Sequence, residues 1–218
     1  MTDIEKSMQS YYAARAREYD RIYLKPERQA DIVRLQHWLP PVFKGLRLLE
    51  VACGTGFWTQ FIAPSAVEVV AVDAAPETLA IARQRVTGGK VSFLTGDAYC
   101  LPKDQGTFNA AFAGFWFSHV PTHRRRAFLA GLHELLEPGA TVVLLDNLYV
   151  HGSNHPISER DDDGNTYQSR RLADGSVHRV MKNFPSEAEL LEVIGGLGEQ
   201  SEYTKFEYFW VLRYAVVR

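Results

Sequence analysis

Apolar residues in this chain gather in short runs, separated by stretches with helical spacing, from about residue 26 to residue 146. Runs at 47–52, 67–72, 91–95, 108–113 and 140–146 read as strands. The run at 67–72 is almost continuously apolar, as expected of a parallel strand covered on both faces. Residues 26–38 read as a helix, with Pro26 near its start and Ile32, Leu35 and Trp38 on one face. A short helix is expected over 57–63, stopping before Pro64. Pro76 opens another, carrying Leu79, Ala82 and Val86, with Gly88-Gly89 as its expected end. Thr122 is read as the cap of a helix over 123–136, stopped by Pro138-Gly139. Strands alternating with helices predict an α/β fold built on a doubly wound, mostly parallel sheet.

The pattern changes after Asp146. Residues 147–166 are polar. Runs at 167–172 and 176–180 then flank Ala173-Asp174-Gly175, a strong hairpin signal. The whole of 147–183 is therefore expected to form a flap inserted after the fifth strand, beside the site. Ser186 and Glu189 have capping-box spacing for a helix reaching about residue 194. Residues 203–217 read as a terminal pair of strands. At the other end, 1–25 is expected to be a lid segment, with Tyr12 and Tyr19 seven apart on one helical face. All of this fits a single domain over 1–218.

The chemistry-bearing signal is Leu48-Leu49-Glu50-Val51-Ala52-Cys53-Gly54-Thr55-Gly56, followed by Val70-Ala71-Val72-Asp73. A buried strand breaks into a glycine turn, and the next strand ends in an acid suited to a ribose hydroxyl. A dinucleotide fingerprint needs a third glycine three residues after the second. That place is Thr59, with Phe57 and Trp58 crowding the turn. Glu50, inside the motif, disfavours phosphate and suits a cation. A phosphate-free nucleoside carrying a sulfonium and an amine, S-adenosylmethionine, satisfies these conditions.

The order of motifs resembles the class I S-adenosylmethionine-dependent methyltransferases, in particular the small bacterial group that includes the ubiquinone/menaquinone methyltransferases. LLEVACGTGFWT is similar to the first motif of that family, VVAVDAA to the second, LTGDAYCLP to the third and FNAAFAGFWFSHV to the fourth. The turn and fifth strand of the family resemble LLEPGATVVLLD. The likeness runs over roughly residues 10–150. Where the fourth motif usually opens with Asp, this chain has Asn109. The resemblance implies a seven-stranded Rossmann-like sheet of the methyltransferase type and S-adenosyl-L-methionine as methyl donor, leaving S-adenosyl-L-homocysteine, with no metal. It implies cofactor contacts from Tyr12, Tyr19, Glu50, Ala52, Gly54, Gly56, Trp58, Thr59, Asp73, Ala74, Asp97, Ala98 and Phe115. Within that set, Asp73 would hold the ribose hydroxyls, Asp97 would face the adenine amine and Ala98 would donate its amide.

Composition narrows the classes without choosing among them. The 218 residues are 46% hydrophobic and 23% charged, with a formal net charge of −2. Nothing suggests disorder, nucleic-acid binding or an apolar run that spans a bilayer. The first six residues lack the apolar core of a signal peptide. Two cysteines cannot build a disulfide framework or a metal cluster, and Cys53 reads as an inert small residue of the loop. The expectation is a cytoplasmic enzyme, monomer or homodimer, whose partner is a small molecule.

Methyl transfer to a hydroxyl usually requires proton removal; transfer to a thioether, neutral amine or carboxylate does not. His119, just past the fourth strand, is the candidate base, against the plainer reading of a histidine packed under its loop. Trp116, Asn147, Tyr149, Tyr167 and Arg170 are candidate substrate contacts. Strand alternation sends Arg170 and Arg171 to opposite faces, so at most one of them points inward, where it would suit a carboxylate. Arg124-Arg125-Arg126 reads as a solvated face. The Asn/Asp-Pro-Pro-aromatic motif of base and glutamine methyltransferases is absent. Whether O, N or S is methylated is left open, and a quinone-like or phenolic acceptor, served by the aromatic cluster at Phe115, Trp116 and Phe117, competes with a small carboxylated one. Two other classes stay in view, an NAD-type oxidoreductase and a non-catalytic S-adenosylmethionine-binding protein.

Overall fold

The protein is described from a computed structural model, over residues 3–217, with the side chains of residues 3–6 and 9 left aside. In chain order the helices are α1 (Asp3–Arg15), α2 (Gln29–Val42), α3 (Thr59–Ile62), α4 (Pro76–Arg85), α5 (Arg125–His133) and α6 (Glu187–Ile194). The strands are β1 (Arg47–Val51), β2 (Glu68–Asp73), β3 (Val91–Thr95), β4 (Phe108–Gly114), β5 (Leu136–Asn147), β6 (Glu159–Arg160), β7 (Thr166–Arg171), β8 (Val177–Met181), β9 (Gly198–Lys205) and β10 (Phe209–Val216).

Seven strands form one sheet in the order β3-β2-β1-β4-β5-β10-β9. The first five run parallel, and β10 and β9 add an antiparallel edge. This is the doubly wound arrangement read from the sequence, and the strand order reverses between β1 and β4. Ligands of such sheets bind in the crevice at the carboxyl ends of the strands flanking that reversal. The central strands β1, β2 and β4 bury both faces. Leu49, Val51, Val70, Val72, Ala111 and Ala113 face one apolar layer, and Leu48, Val69, Ala71, Ala110 and Phe112 face the other. Residues of period two thus feed two cores.

Several boundaries differ from expectation. Helix α2 runs on through Pro40 and Pro41 to Val42. Helix α4 ends at Arg85, three residues before Gly88, because Val86 is already extended. Thr122 does not cap α5. Its amide and hydroxyl both donate to Asn165 Oδ1, at 2.9 and 3.1 Å, and α5 starts at Arg125. Pro138-Gly139 does not stop a helix. The Phe108 amide bonds the Leu135 carbonyl, so β4 captures the chain before the proline. Gly139, at φ +81°, then lies inside β5, in the stretch where the pairing with β4 is irregular.

The insertion after β5 is a separate three-stranded sheet, β6-β7-β8. Asn183 ties it to the loop after β4, its amide bonding the Ser118 carbonyl and its side chain the Val120 carbonyl. Helix α1 packs on this flap, with Met8 beside Tyr167 and Met181 and Tyr11 beside Leu172 and Val180. Lid and flap therefore form one roof over the sheet edge. The capping box of Ser186 and Glu189 is formed as expected. No helix among the described residues is long and apolar enough to cross a membrane.

Candidate active site

A cavity of about 310 Å³ opens at the carboxyl edge, under the roof. Its floor comes from the ends of β1, β2, β3 and β4. Two non-glycine residues there adopt left-handed backbone conformations, Ala52 at φ +55° and Phe115 at φ +61°. Such strain persists where the surrounding structure holds it, and it gathers at functional sites. Gly54, at φ +56°, follows Ala52, and the edge of the Tyr19 ring lies over it.

Asp73 ends β2 and organises the loop. Its Oδ2 accepts from the Gly54 amide at 2.8 Å. Its Oδ1 accepts from the Ala75 amide and the Thr78 hydroxyl, each at 2.9 Å. Burial pushes the Asp73 carboxyl up, and these hydrogen bonds oppose the shift. Asp97 lies across the cavity and accepts from the Tyr99 amide at 2.9 Å. Ala52, Gly54, Ala74, Ala98, Phe115 and Trp116 line the same space. The described lining includes two carboxylates and no lysine or arginine. That suits a phosphate-free nucleoside with a cationic centre better than a pyrophosphate. The Trp116 indole N–H is buried with no partner among the described residues.

The roof supplies Tyr12 and Tyr19. They do not lie on one continuous helix, since α1 ends at Arg15 and a 3-10 stretch, Ala16–Tyr23, follows. Their rings still meet edge to face at 5.9 Å, and both line the cavity.

His119 stands where the cavity meets the flap. Its Nδ1 lies 2.6 Å from the Met181 carbonyl, so Nδ1 carries the proton. Its Nε2 accepts from the Tyr12 hydroxyl at 2.8 Å. Burial, reinforced by the nearby Lys182 ammonium, holds the imidazole well below its usual range, so it is neutral at neutral pH. Beneath it, Lys182 donates to Asp146 Oδ1 at 2.7 Å and to Ser118 Oγ at 2.5 Å. Burial lowers the Lys182 ammonium to about 8 despite Asp146.

A smaller chamber of about 70 Å³ adjoins the cavity, and Tyr12, Tyr19, Phe115 and His119 wall both. Asn147 and Arg170 line it, as do Arg28 and Lys182. Of the arginine pair on β7, Arg170 is buried, while Arg171 is exposed and bonds the Gly175 carbonyl.

Six expected contacts lie off these spaces. Glu50 is 2% exposed, on the Leu48 face of β1, and its Oε2 has no partner among the described residues. Burial pushes its carboxyl up to about 8, with Asp73 adding to the effect. It is a neutral acid in the layer behind the cavity and not a charge on its wall. Gly56 backs onto α4, where an added Cβ would meet Ala82 Cβ at 3.0 Å. Trp58 packs with Tyr23 and Phe115, and Thr59 is fully buried. Tyr149 is exposed and packs on Phe184. Tyr167 turns its hydroxyl to Asp161, at 2.7 Å, with Arg179 over its ring. The arginine triplet is not a solvated face, since Arg124 covers the Tyr99 ring and Arg125 is buried over Phe117. Asn109 caps the opposite end of the sheet, accepting from the Arg47 amide at 2.7 Å.

Sequence reasoning passed over Thr78, Gly96 and Gly114 in the cavity and Arg28 and Lys182 in the chamber. Gly96 had a readable signal, a glycine just before the third-motif acid. An added Cβ there would meet Val72 Cγ1 at 2.9 Å.

Residues 48–139 match a family model described as a methyltransferase domain. A demethylmenaquinone methyltransferase of Shouchella clausii is 29% identical over 143 residues, 59% of this chain and 60% of that protein. One of Thermus thermophilus is 38% identical over 105 residues, 46% of each. The chain thus spans about half to three fifths of the length of these relatives. The solved structure described as the DhpI-SAM-HEP complex matches 98% of this chain and 99% of its own, with 28% identity and a TM-score of 0.80. The DhpI-SAH complex matches at a TM-score of 0.77, also with 28% identity, over 98% and 97%. Motif order, strand order and these likenesses agree on a methyltransferase domain over residues 48–139, similar to the class I S-adenosylmethionine-dependent methyltransferases.

Proposed function

We propose that the protein transfers a methyl group from S-adenosylmethionine to a small-molecule acceptor. The observation that carries this reading is the 310 Å³ cavity at the β1/β4 reversal, with two acids, Asp73 and Asp97, and no described lysine or arginine on its wall. When bound, the cofactor supplies a methyl carbon on a positively charged sulfur leaving group. Asp73 would accept from the ribose hydroxyls, beside the loop amides it already organises. Asp97 and the Ala98 amide would serve the adenine edge, while Tyr12 and Tyr19 close the roof.

The residues contribute alignment, water exclusion and, for a protonated acceptor, a place for the proton. Transfer would place the acceptor's lone pair in the new bond to carbon, and the bonding pair of the broken carbon–sulfur bond would leave with sulfur as the neutral thioether. His119 Nε2 is the one ring lone pair facing the site, and Tyr12 occupies it. An acceptor O–H that displaces the Tyr12 hydroxyl would find a neutral nitrogen there, though a weak base. An anionic oxygen would need no base. We therefore assign Tyr12 and His119 first to orienting the nucleophile.

The test is transfer of isotopically labelled methyl from S-adenosylmethionine into a panel of small acids, phenols and amines. Labelled product formed together with S-adenosylhomocysteine supports the reading. Tight cofactor binding with no transfer to any class would favour a non-catalytic binding protein.

A further inference from the structure

Two compartments of opposite charge share one wall. The cofactor cavity has Asp73 and Asp97, whereas the smaller chamber is lined by Arg15, Lys25, Arg28, Arg170 and Lys182 and by no described carboxylate. Among the described residues only Lys182 of these five has an ion-pair partner, Asp146, which lies behind the wall. Arg170 is 8% exposed, and its Nε and Nη2 both donate to the amide oxygen of Gln168, at 3.1 and 2.8 Å. Its Nη1 reaches the Tyr12 hydroxyl at 3.4 Å. Arg28 is 5% exposed and donates to Ser153 Oγ and Asn147 Oδ1, each at 2.9 Å, and to the Ser153 carbonyl at 3.1 Å. Lys25 donates to the same carbonyl.

All these acceptors are neutral. A buried guanidinium without a counter-charge is costly, and two facing one small space repel each other as well. The fold holds them there through neutral hydrogen bonds drawn from α2's approach, the loop after β5 and the flap. A structural ion-pair network would have placed carboxylates among them. Glu27, outside the chamber, offsets Arg28 and Lys25 and is linked to Arg28 through the Ser153 hydroxyl, but no described carboxylate stands beside Arg170, and the negative charge missing inside is therefore that of a ligand. At about 70 Å³, against about 310 Å³ for the cofactor cavity, the chamber is small. It accepts a compact headgroup and not a fused aromatic ring.

We propose that the acceptor is a small anion whose oxyanion group, a phosphate, phosphonate or carboxylate, sits in this chamber against Arg28 and Arg170. The proposal rests on the methyltransferase reading. The oxyanion would anchor the acceptor on the flap side of His119 and Tyr12, and the shared wall would set its distance from the cofactor cavity. Bidentate geometry explains arginine at the two buried places, and Lys25 at the mouth adds charge without fixing orientation.

Calorimetric titration of the protein saturated with S-adenosylhomocysteine tests this, with inorganic phosphate, methylphosphonate and acetate as separate probes at low and high salt. At least one probe should bind, and the preferred one separates the tetrahedral oxyanions from the carboxylate. Arg170→Gln should weaken that binding tenfold or more, and Arg170→Lys should recover part of it. Lys25→Gln, at a partly exposed position, should weaken it several-fold. Both charge-removing variants should bind S-adenosylhomocysteine as the parent does. The proposal is overturned if all three anions fail to bind a protein that binds S-adenosylhomocysteine, or if they bind Arg170→Gln and Lys25→Gln as well as the parent. Failure of the parent to bind S-adenosylhomocysteine would instead remove the methyltransferase reading beneath it.

Discussion

The Tyr12 hydroxyl donates to His119 Nε2 at 2.8 Å, joining the lid to the loop after β4 across 107 positions of sequence. With His119 Nδ1 spent on the Met181 carbonyl, lid, sheet edge and flap meet at one imidazole. Tyr12→Phe keeps the ring but leaves Nε2 without its donor. It should cost about 1–3 kcal/mol of stability, the usual penalty for an orphaned buried acceptor, and lower turnover. Chemical denaturation and kcat measure the two effects. His119→Gln, whose amide oxygen can accept from Tyr12, should retain more activity than His119→Ala. Equal losses in the two variants, with a new pH dependence, would instead mark His119 as a proton acceptor.

Asp73 has a double duty. Asp73→Ala should weaken S-adenosylhomocysteine binding by about 1.5–3 kcal/mol, roughly 10- to 150-fold, through lost charge-assisted hydrogen bonds. It also strands the Gly54 and Ala75 amides, so the melting temperature should fall as well. Unchanged affinity in a folded variant would contradict the ribose assignment.

Glu50 makes a pH prediction. Its folded carboxyl titrates at about 8, well above an unfolded carboxyl, so the folded state holds a proton that the unfolded chain has lost. Its contribution is complete below the unfolded pKa and drains away as pH rises toward 8. Glu50→Gln removes that term. The variant should therefore gain stability relative to the parent with rising pH, at up to about 1.4 kcal/mol per pH unit inside the window. Parallel stability–pH curves would contradict the protonated state.

The Lys182–Asp146 pair gives the opposite kind of test. Lys182→Met leaves Asp146 buried and charged, and breaking such a pair costs about 3–5 kcal/mol. With its partner gone, Asp146 should hold its proton to higher pH, so the loss should grow as pH rises. Urea denaturation at several pH values reads this.

What could be read in advance was local. The glycine loop, Asp73 and the alternation of strands and helices announce themselves within a few residues, because backbone conformation and strand period act at short range. Motif adjacency did not say which residues line the cavity. Gly56, Trp58 and Thr59 follow Gly54 directly, yet the turn carries them behind the cavity wall. Glu50 fails for the same reason, since strand alternation sends it to the Leu48 face. On β7 alternation did show that Arg170 and Arg171 part company, and only packing against the lid decided which one is buried. The cationic chamber was invisible because Arg28, Arg170 and Lys182 come from distant segments. They meet round one space because Arg28 bonds Asn147 and Ser153, Lys182 bonds Asp146 and Ser118, and Arg170 packs under Tyr11 and Tyr12 of α1.

The central claim is that the β1/β4 crevice is an S-adenosylmethionine site. The most direct measurement is calorimetric titration of the purified protein with S-adenosylhomocysteine, with NAD as the control. Micromolar binding of S-adenosylhomocysteine and none of NAD is the predicted result. Absence of S-adenosylhomocysteine binding, or a preference for NAD, would contradict it and withdraw the roles given to Asp73, Asp97, Tyr12 and His119.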